Sequence, residues 1–546
     1  MKPLFTFVRS NAKPLAILFG TWGVYFLFFW PKMLYFNTEG DLTAGWRNIW
    51  GDWALHITQA NAFHYQPILH TLSNHPVYAG ATLSYPFVVN LLSGFLLRLG
   101  LSIPSTFIIP SIIFSLVLLI GLFLLGKRLI ENSTQVLLAI TIFFTSGGLG
   151  FFYYFFDLQN KFSFERLLYP PHEYTHMKDI GYYWTTTLLA HLVPQRAFLL
   201  GMTVGVLLLA TLYQRFKNNF SKISLKQMLT LGLATGLLSY IHSHTLIVFF
   251  IISAWLLLFD LKHYKHWLTF ALGTALTALP FFILFPGPAL TDYISFLPGW
   301  LSHKKELDIP FWWFWIKNWG LLLPLFIFSM LKLDYPKKLQ QFISAFVILF
   351  FLGNLFIFQP SSWDNAKLFL WIYLIFAFPV AELLSKIWQK HWIGKLAASL
   401  LFLILIASGS LDLIRVLNTS KESFVMISKQ EIELADFLRT HSSYFDIVLT
   451  SDNHLHWVPV MSGRQIVMGY RGWLWSHGFD YKQKEEDIRE IFQGGPRVHE
   501  LLEKYQISFV VTDDKTRTDF NSNDAFFSKN FELFMTSPKY NVYRTR

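Results

Sequence analysis

Five short clusters in this sequence combine residue types that bind charge or move protons. They are Trp50-Gly51-Asp52-Trp53, His172-Glu173-Tyr174-Thr175-His176, Pro194-Gln195-Arg196, His242-Ser243-His244 and Trp363-Asp364-Asn365-Ala366-Lys367. Asp52 stands between two tryptophans and four residues before His56, so on a helix the acid and the imidazole share a face. A carboxylate partly desolvated by aromatic surface has a raised pKa, which suits a general base. The same position also suits a helix N-cap. Arg196 keeps its charge at any realistic pH. It either snorkels to a membrane interface or grips a phosphate bidentately. Asp364, Asn365 and Lys367 pack an acid, an amide and an ammonium between two apolar runs. That is either a clamp for an anion or metal-phosphate, or a pair that neutralises itself. His242 and His244 can hydrogen-bond between helices or touch a ligand.

The second cluster matches the His-Glu-x-x-His zinc signature. On a helix His172 and His176 would face one metal, and Glu173 would activate water. Pro170-Pro171 directly before it argue for a polar loop instead, and no third ligand stands out downstream. We therefore expect a substrate-facing loop and no metal ligand among the site residues.

The elements that must position these groups are apolar helices. The chain has 546 residues, 53% hydrophobic and only 14% charged, with a mean hydropathy of +0.39. A soluble domain carries roughly 25% charged residues. A span needs about 20 mainly apolar residues. Eleven segments meet that need: 15–31, 105–126, 134–154, 196–214, 228–242, 244–259, 266–286, 311–331, 341–358, 368–386 and 396–412. Lys and Arg collect on the cytoplasmic side of membrane proteins. Threading Lys2, Arg9 and Lys13 inside also puts Lys127, Arg215, Lys262, Lys337 and Lys390 inside. All five clusters then fall at the outer side, where ionisable groups near hydrocarbon are functional more often than not. The outer segments are 32–104, 155–195, 287–310, 359–367 and everything after about 412. Residues 86–100 are apolar, but counting them as a span would invert the basic loops. They read as a short interfacial or buried helix. The basic start before the first apolar run has no small-residue cleavage site after it and reads as an uncleaved first span.

Net charge is +11. The positive-inside rule accounts for it more simply than nucleic acid does, so we expect membrane lipids and no nucleic acid as partners. There is no cysteine, which excludes disulfides, cysteine-ligated metal and thiol nucleophiles. Charge returns after about residue 412. Residues 445–450 and 507–512 read as buried strands, and 431–439 and 485–492 as helices, so 413–546 is expected to be a soluble α/β domain following a 1–412 transmembrane domain. Trp473, Trp475, Ser476 and His477, with His454, His456 and Arg464, form a further polar-aromatic group suited to a sugar, a lipid head group or docking.

Gly51-Asp52, the following Trp53 to Phe63, and Tyr85-Pro86 leading through 105–126 into Gly126-Lys127-Arg128 resemble the GT-C superfamily of membrane glycosyltransferases. The resemblance covers about the first 130 residues. It implies an α-helical polytopic membrane protein of the plasma membrane, N-terminus cytoplasmic, with an extracytoplasmic C-terminal domain. It implies sugar transfer from a polyprenyl-phosphate donor to an envelope acceptor on the outer side, with inversion. By that resemblance Asp52 is the catalytic base and Asp41 the fallback. His56, Arg196, His242, His244, Asp364, Asn365 and Lys367 are the expected substrate contacts. The chain lacks a plain Asp-Asp or Glu-x-Asp pair near Asp52, which leaves dependence on a divalent cation open. A transporter or lipid flippase, an intramembrane zinc protease, and an envelope scaffold without activity are the alternatives.

Overall fold

The computed structural model describes residues 7–287, 294–302 and 309–546. Lys2 and half of the expected 287–310 loop lie outside the described residues. Seven described helices are long and apolar enough to cross a membrane: Ala12–Lys32, Ile103–Leu129, Arg196–Lys217, Leu261–Leu284, Lys337–Leu355, Ser362–Trp388 and Trp392–Val416. The chain is a multi-pass membrane protein. The expected eleven spans are reduced because four of them are broken or short. Residues 134–154 yield the 12-residue helix Ser133–Phe144 and, after a break, the start of a second helix, Phe151–Asn160. In the break the chain runs so close to Lys317 that a Cβ on Gly148 would lie 1.6 Å from the Lys317 carbonyl oxygen. Residues 311–331 form two helices, Phe311–Trp319 and Leu322–Lys332, bent by 98°. Gly320 between them takes a φ of +61°, a region open to glycine without a steric penalty. Residues 228–242 and 244–259 are interrupted at His242, whose backbone is extended.

The chain divides into two compact units. One comprises Met1–Lys32, Pro110–Pro280 and Ile294–Glu422; the other comprises Met33–Ile109, Phe281–Tyr293 and Ser423–Arg546.

In the first unit the span Ser362–Trp388 is the most enclosed, with 89% of its apolar window buried. Ser133–Phe144, Leu322–Lys332, Lys337–Leu355 and Trp392–Val416 pack around it. Lipid tails are as apolar as leucine, so helices in a membrane associate by close packing rather than by the hydrophobic effect. The rings of Phe326 and Phe376 accordingly stack at 3.7 Å. Leu225–Gly236 meets Tyr264–Leu284 through glycines: a Cβ on Gly232 would lie 2.1 Å from the Phe270 carbonyl oxygen. Asn318, a polar residue within an expected span, is accounted for. Its Oδ1 accepts the backbone N–H groups of Tyr183 at 2.7 Å and Trp184 at 3.0 Å.

The second unit carries a five-stranded mixed sheet in the order Gln465–Ile466, Ile447–Leu449, Ile507–Thr512, Asn541–Arg544, Glu532–Thr536. The first three are parallel and the last two antiparallel to their neighbours. Ile507–Thr512 is buried along its whole length, with Ile507, Phe509, Val510 and Val511 supplying the apolar run of a strand covered on both faces. Helices Lys429–Thr440 and Lys482–Gln493 stand where helices are expected. Part of the first long loop belongs to this unit. Leu42–Ala44 pairs antiparallel with Phe424–Ile427. The 16-residue helix Trp50–Tyr65 packs on Val88–Arg98 and donates from Asn61 Nδ2 to the Val460 carbonyl at 2.6 Å. Val88–Arg98 has 11 residues and rises about 16 Å, short of a bilayer core of about 30 Å.

Candidate functional site

Two groups of residues merit a functional reading, one in each unit.

In the first unit, Ser362–Asn365 forms a single tight turn that feeds the helix Ala366–Trp388. The turn sets Asp364 three residues before Lys367, and Lys367 Nζ lies 2.7 Å from Asp364 Oδ1. Both side chains are nearly buried, at 8% and 11% exposure. Gln359 donates to the other carboxylate oxygen of Asp364. Asn365 holds the turn together: its Nδ2 donates to the carbonyls of Gly353 at 2.8 Å and Phe356 at 2.6 Å. Both of its N–H donors are thereby engaged with backbone. Trp363 Nε1 donates to the Tyr183 carbonyl at 3.0 Å.

Three imidazoles join this pair. The His191 ring lies 4.7 Å from Trp363 and 5.6 Å from Phe198. Phe198 lies 4.7 Å from His242, which stands 5.5 Å from His244. A Cβ on Gly201 would come within 2.6 Å of the His242 Cβ, so glycine admits that ring against the helix Arg196–Lys217. Burial first, then the Lys367 ammonium, push His191 well below the ordinary imidazole value, so its ring is neutral. His242 caps the helix Ser243–Leu258, its Nδ1 accepting from the Thr245 N–H at 3.3 Å. An accepting Nδ1 places the proton of the neutral ring on Nε2. Both ring nitrogens of His191 and the Nε2 atoms of His242 and His244 are buried without a hydrogen-bond partner among the described residues. A buried polar atom left without a partner costs roughly 1–3 kcal/mol, which a ligand would recover. Arg196, the first residue of its helix, is fully buried beside Ala197 and Phe198. The N-terminal ends of three helices, beginning at Arg196, Ser243 and Ala366, thus meet around Lys367 and the imidazoles. Helix N-termini present positive charge.

The zinc alternative loses its geometric basis. Residues 170–177 form turns and no helix, so the i, i+4 spacing does not aim two imidazoles at one point. His172 is 60% exposed and lies 3.8 Å from Asp157. His176 Nδ1 pairs with the Thr185 hydroxyl at 2.7 Å, and burial with nearby Lys178 lowers its pKa to about 4. The backbone N–H groups of Tyr174 and Thr175 both donate to Asp412, at 2.6 and 3.0 Å, which pins the motif as a loop. His176→Ala should therefore leave bound zinc unchanged, measured by metal analysis of wild type and variant purified side by side. Loss of zinc in the variant alone would restore the metal reading. Among the described residues no group of three or more His, Asp or Glu side chains is arranged to hold a metal ion.

In the second unit, Asp52 lies in the first turn of Trp50–Tyr65, on the same face as His56 as the spacing requires. His56 is buried, and its Nδ1 meets Asn90 Oδ1 at 3.0 Å. Asn90 in turn donates to Gln59 Oε1 at 2.6 Å. Asp41 sits in the turn before Leu42–Ala44. The backbone N–H of Lys429 donates to it at 2.8 Å and Asn37 Nδ2 at 3.0 Å, and they hold it below the usual carboxylate range. That makes it a weaker proton acceptor. A cleft of about 530 Å³ is lined by Asp452, Asn453, His454, Tyr470, Arg471, Gly472 and Lys515. Trp50 meets the His454 ring at 4.0 Å, and Trp473 Nε1 donates to the Gly51 carbonyl at 3.1 Å. Of the polar-aromatic residues singled out in the sequence, His454 lines this cleft. Arg464 is tied to Ser442 and the Arg439 carbonyl, and His456 is buried 3.6 Å from Asp513.

Sequence reasoning missed His191, Asp412 and most of the cleft. Asp412 had a signal, an acid inside an apolar run. His191 had none, because a single histidine before a span carries no pattern.

No family model matches the sequence, and no curated protein matches it either. Solved structures do. The oligosaccharyltransferase of Archaeoglobus fulgidus, in complex with zinc and sulfate, matches with a TM-score of 0.51 at 12% identity, over 91% of this chain and 68% of that one. ArnT from Cupriavidus metallidurans, bound to undecaprenyl phosphate, gives 0.48 at 10% identity over 98% of each chain. The arabinofuranosyltransferase AftD from Mycobacteria gives 0.48 at 13% identity, over 98% of this chain and 41% of that one.

Proposed function

We propose that this chain, which has the GT-C fold of the Archaeoglobus oligosaccharyltransferase, is a membrane glycosyltransferase acting on a polyprenyl-phosphate-linked sugar. A fold alone does not name a reaction. The observation that carries the reading is the buried group around Lys367. It offers an ammonium, an Nε2–H donor from His242 and further unpartnered imidazole nitrogens, at the N-terminal ends of three apolar helices. A phosphate on a hydrocarbon tail matches both halves of that description. Its oxygens answer the donors, and its tail lies along spans.

In the reaction we propose, Asp52 takes the proton of an acceptor hydroxyl. The hydroxyl oxygen bonds to the anomeric carbon on the face opposite the phosphate. The bond from that carbon to the phosphate oxygen breaks, and its electron pair leaves with the polyprenyl phosphate. Arg196, Lys367, His242 and His244, all in the first unit, are the groups we assign to the donor's phosphate, with Asp364 orienting Lys367. Fixed donors aimed at developing charge are usually the largest catalytic contribution. No step runs through a metal ion. The Lys and Arg distribution supports an N-terminus in the cytoplasm and chemistry on the outer side.

The test is mass analysis of envelope glycans and lipid-linked sugars in cells with and without the gene. Loss of one sugar from a glycan, with build-up of its lipid-linked donor, is expected on deletion. Identical profiles would overturn the reading.

A further inference from the structure

The cleft in the second unit has no part in the reaction as described so far. Its volume, about 530 Å³, falls in the range of roughly 300–1,000 Å³ that small-ligand sites occupy. Its charges are paired. Arg471 Nε lies 2.6 Å from Asp452 Oδ2 and its Nη1 2.8 Å from Glu485. Lys515 lies 3.2 Å from Asp452 Oδ1 and also pairs with Asp519. Burial, helped by Lys515, lowers the His454 pKa to about 4, so that ring is neutral too. Three carboxylates, Asp452, Glu485 and Asp519, thus stand against the two cations Arg471 and Lys515, and that excess of negative charge disfavours a phosphate, a nucleotide or an acidic peptide.

What remains for a ligand is neutral and polar. Asn453 Oδ1 accepts from the Leu455 N–H at 3.1 Å, while its Nδ2 makes no hydrogen bond among the described residues. The Tyr470 hydroxyl makes none either. The Tyr470 ring lies directly over Gly472, where a Cβ would come within 2.4 Å of it, so only glycine leaves the ring its place. Next to Tyr470 stands Trp50, 36% exposed, the two rings 6.3 Å apart. Aromatic faces beside planar amide, carboxylate and guanidinium groups suit a pyranose or furanose: the rings stack on its C–H face, and the planar groups take its neighbouring hydroxyls.

We propose that this cleft is a saccharide subsite that holds the acceptor glycan at the start of the helix bearing Asp52. The acceptor assignment rests on the glycosyltransferase reading; the saccharide assignment stands on the cleft alone. Trp50 and Asp52 share one helical turn, so a sugar stacked on Trp50 is held next to the helix that carries the base.

The test uses the full chain in lipid nanodiscs, probed on an array of immobilised hexose, pentose, deoxyhexose and amino-sugar oligosaccharides. Wild type is expected to bind at least one class. Tyr470→Phe removes only the hydroxyl, and Asn453→Asp keeps the acceptor for Leu455 while removing the donors. Each should weaken that binding about tenfold, the usual value of a lost hydrogen bond in a pocket. Gly472→Val should abolish it. Binding of undecaprenyl phosphate, followed by native mass spectrometry, should be the same in wild type and all three variants. An array with no bound glycan, or binding that Tyr470→Phe and Asn453→Asp leave intact, overturns the subsite. Glycan binding that behaves as expected while wild type ignores undecaprenyl phosphate keeps the subsite and removes the donor reading.

Discussion

Asp52→Asn is expected to lower sugar transfer about 10²–10⁴-fold, the usual contribution of a positioned general base. The substitution keeps shape and removes only proton affinity. Asp52 lies in the first turn of Trp50–Tyr65, where an acid favours the helix dipole by about 0.3–1 kcal/mol. The variant should therefore fold and stay in the membrane, with donor binding intact and turnover lost. Measuring transfer beside thermal stability in detergent separates these effects. Asp41→Asn is the matched control. Its carboxylate receives the Lys429 N–H and the Asn37 amide, so its replacement should loosen that turn and leave turnover in place. If Asp41→Asn stops transfer and Asp52→Asn does not, the base is Asp41 and the assignment falls.

Lys367→Met carries the second large effect, on stability and activity together. It leaves the Asp364 carboxylate, 11% exposed, without its cation. Breaking a buried ion pair from one side costs about 3–5 kcal/mol. Removing both charges is often close to neutral, so Asp364→Asn with Lys367→Met should recover most of the lost stability. It should not recover transfer, because the ammonium proposed to face the leaving phosphate is still missing. Thermal unfolding of wild type, single and double variants, beside turnover, reads both quantities. A double variant that regains activity would make the pair structural only.

Much of the architecture was legible because periodicity and apolar length are local properties. The long spans, the helix joining Asp52 to His56, and the strands near 447–449 and 507–512 all rest on patterns within a few turns of chain. The failures share one cause, tertiary packing that overrides a local pattern. Gly320 turns one apolar stretch through 98°. Gly148 lets the backbone of Lys317 cross where a helix was expected to continue. Asp412 binds the backbone of Tyr174 and Thr175, and so a metal-like spacing exists in a loop that cannot use it. Asn365 ties its own turn to the Gly353 and Phe356 carbonyls, a role its local sequence does not record.

The sequence by itself determined that this chain lives in a membrane, and which few polar residues stand among its apolar runs. Composition and hydropathy decide those matters one residue at a time. Only the tertiary structure decided which polar residues stand together. His191 reaches Lys367 and Asp364 across more than 170 positions of chain, and Trp50 reaches His454 and Tyr470 across more than 400. Such neighbours are made by helix packing and strand pairing, and nothing in their own local sequence records them.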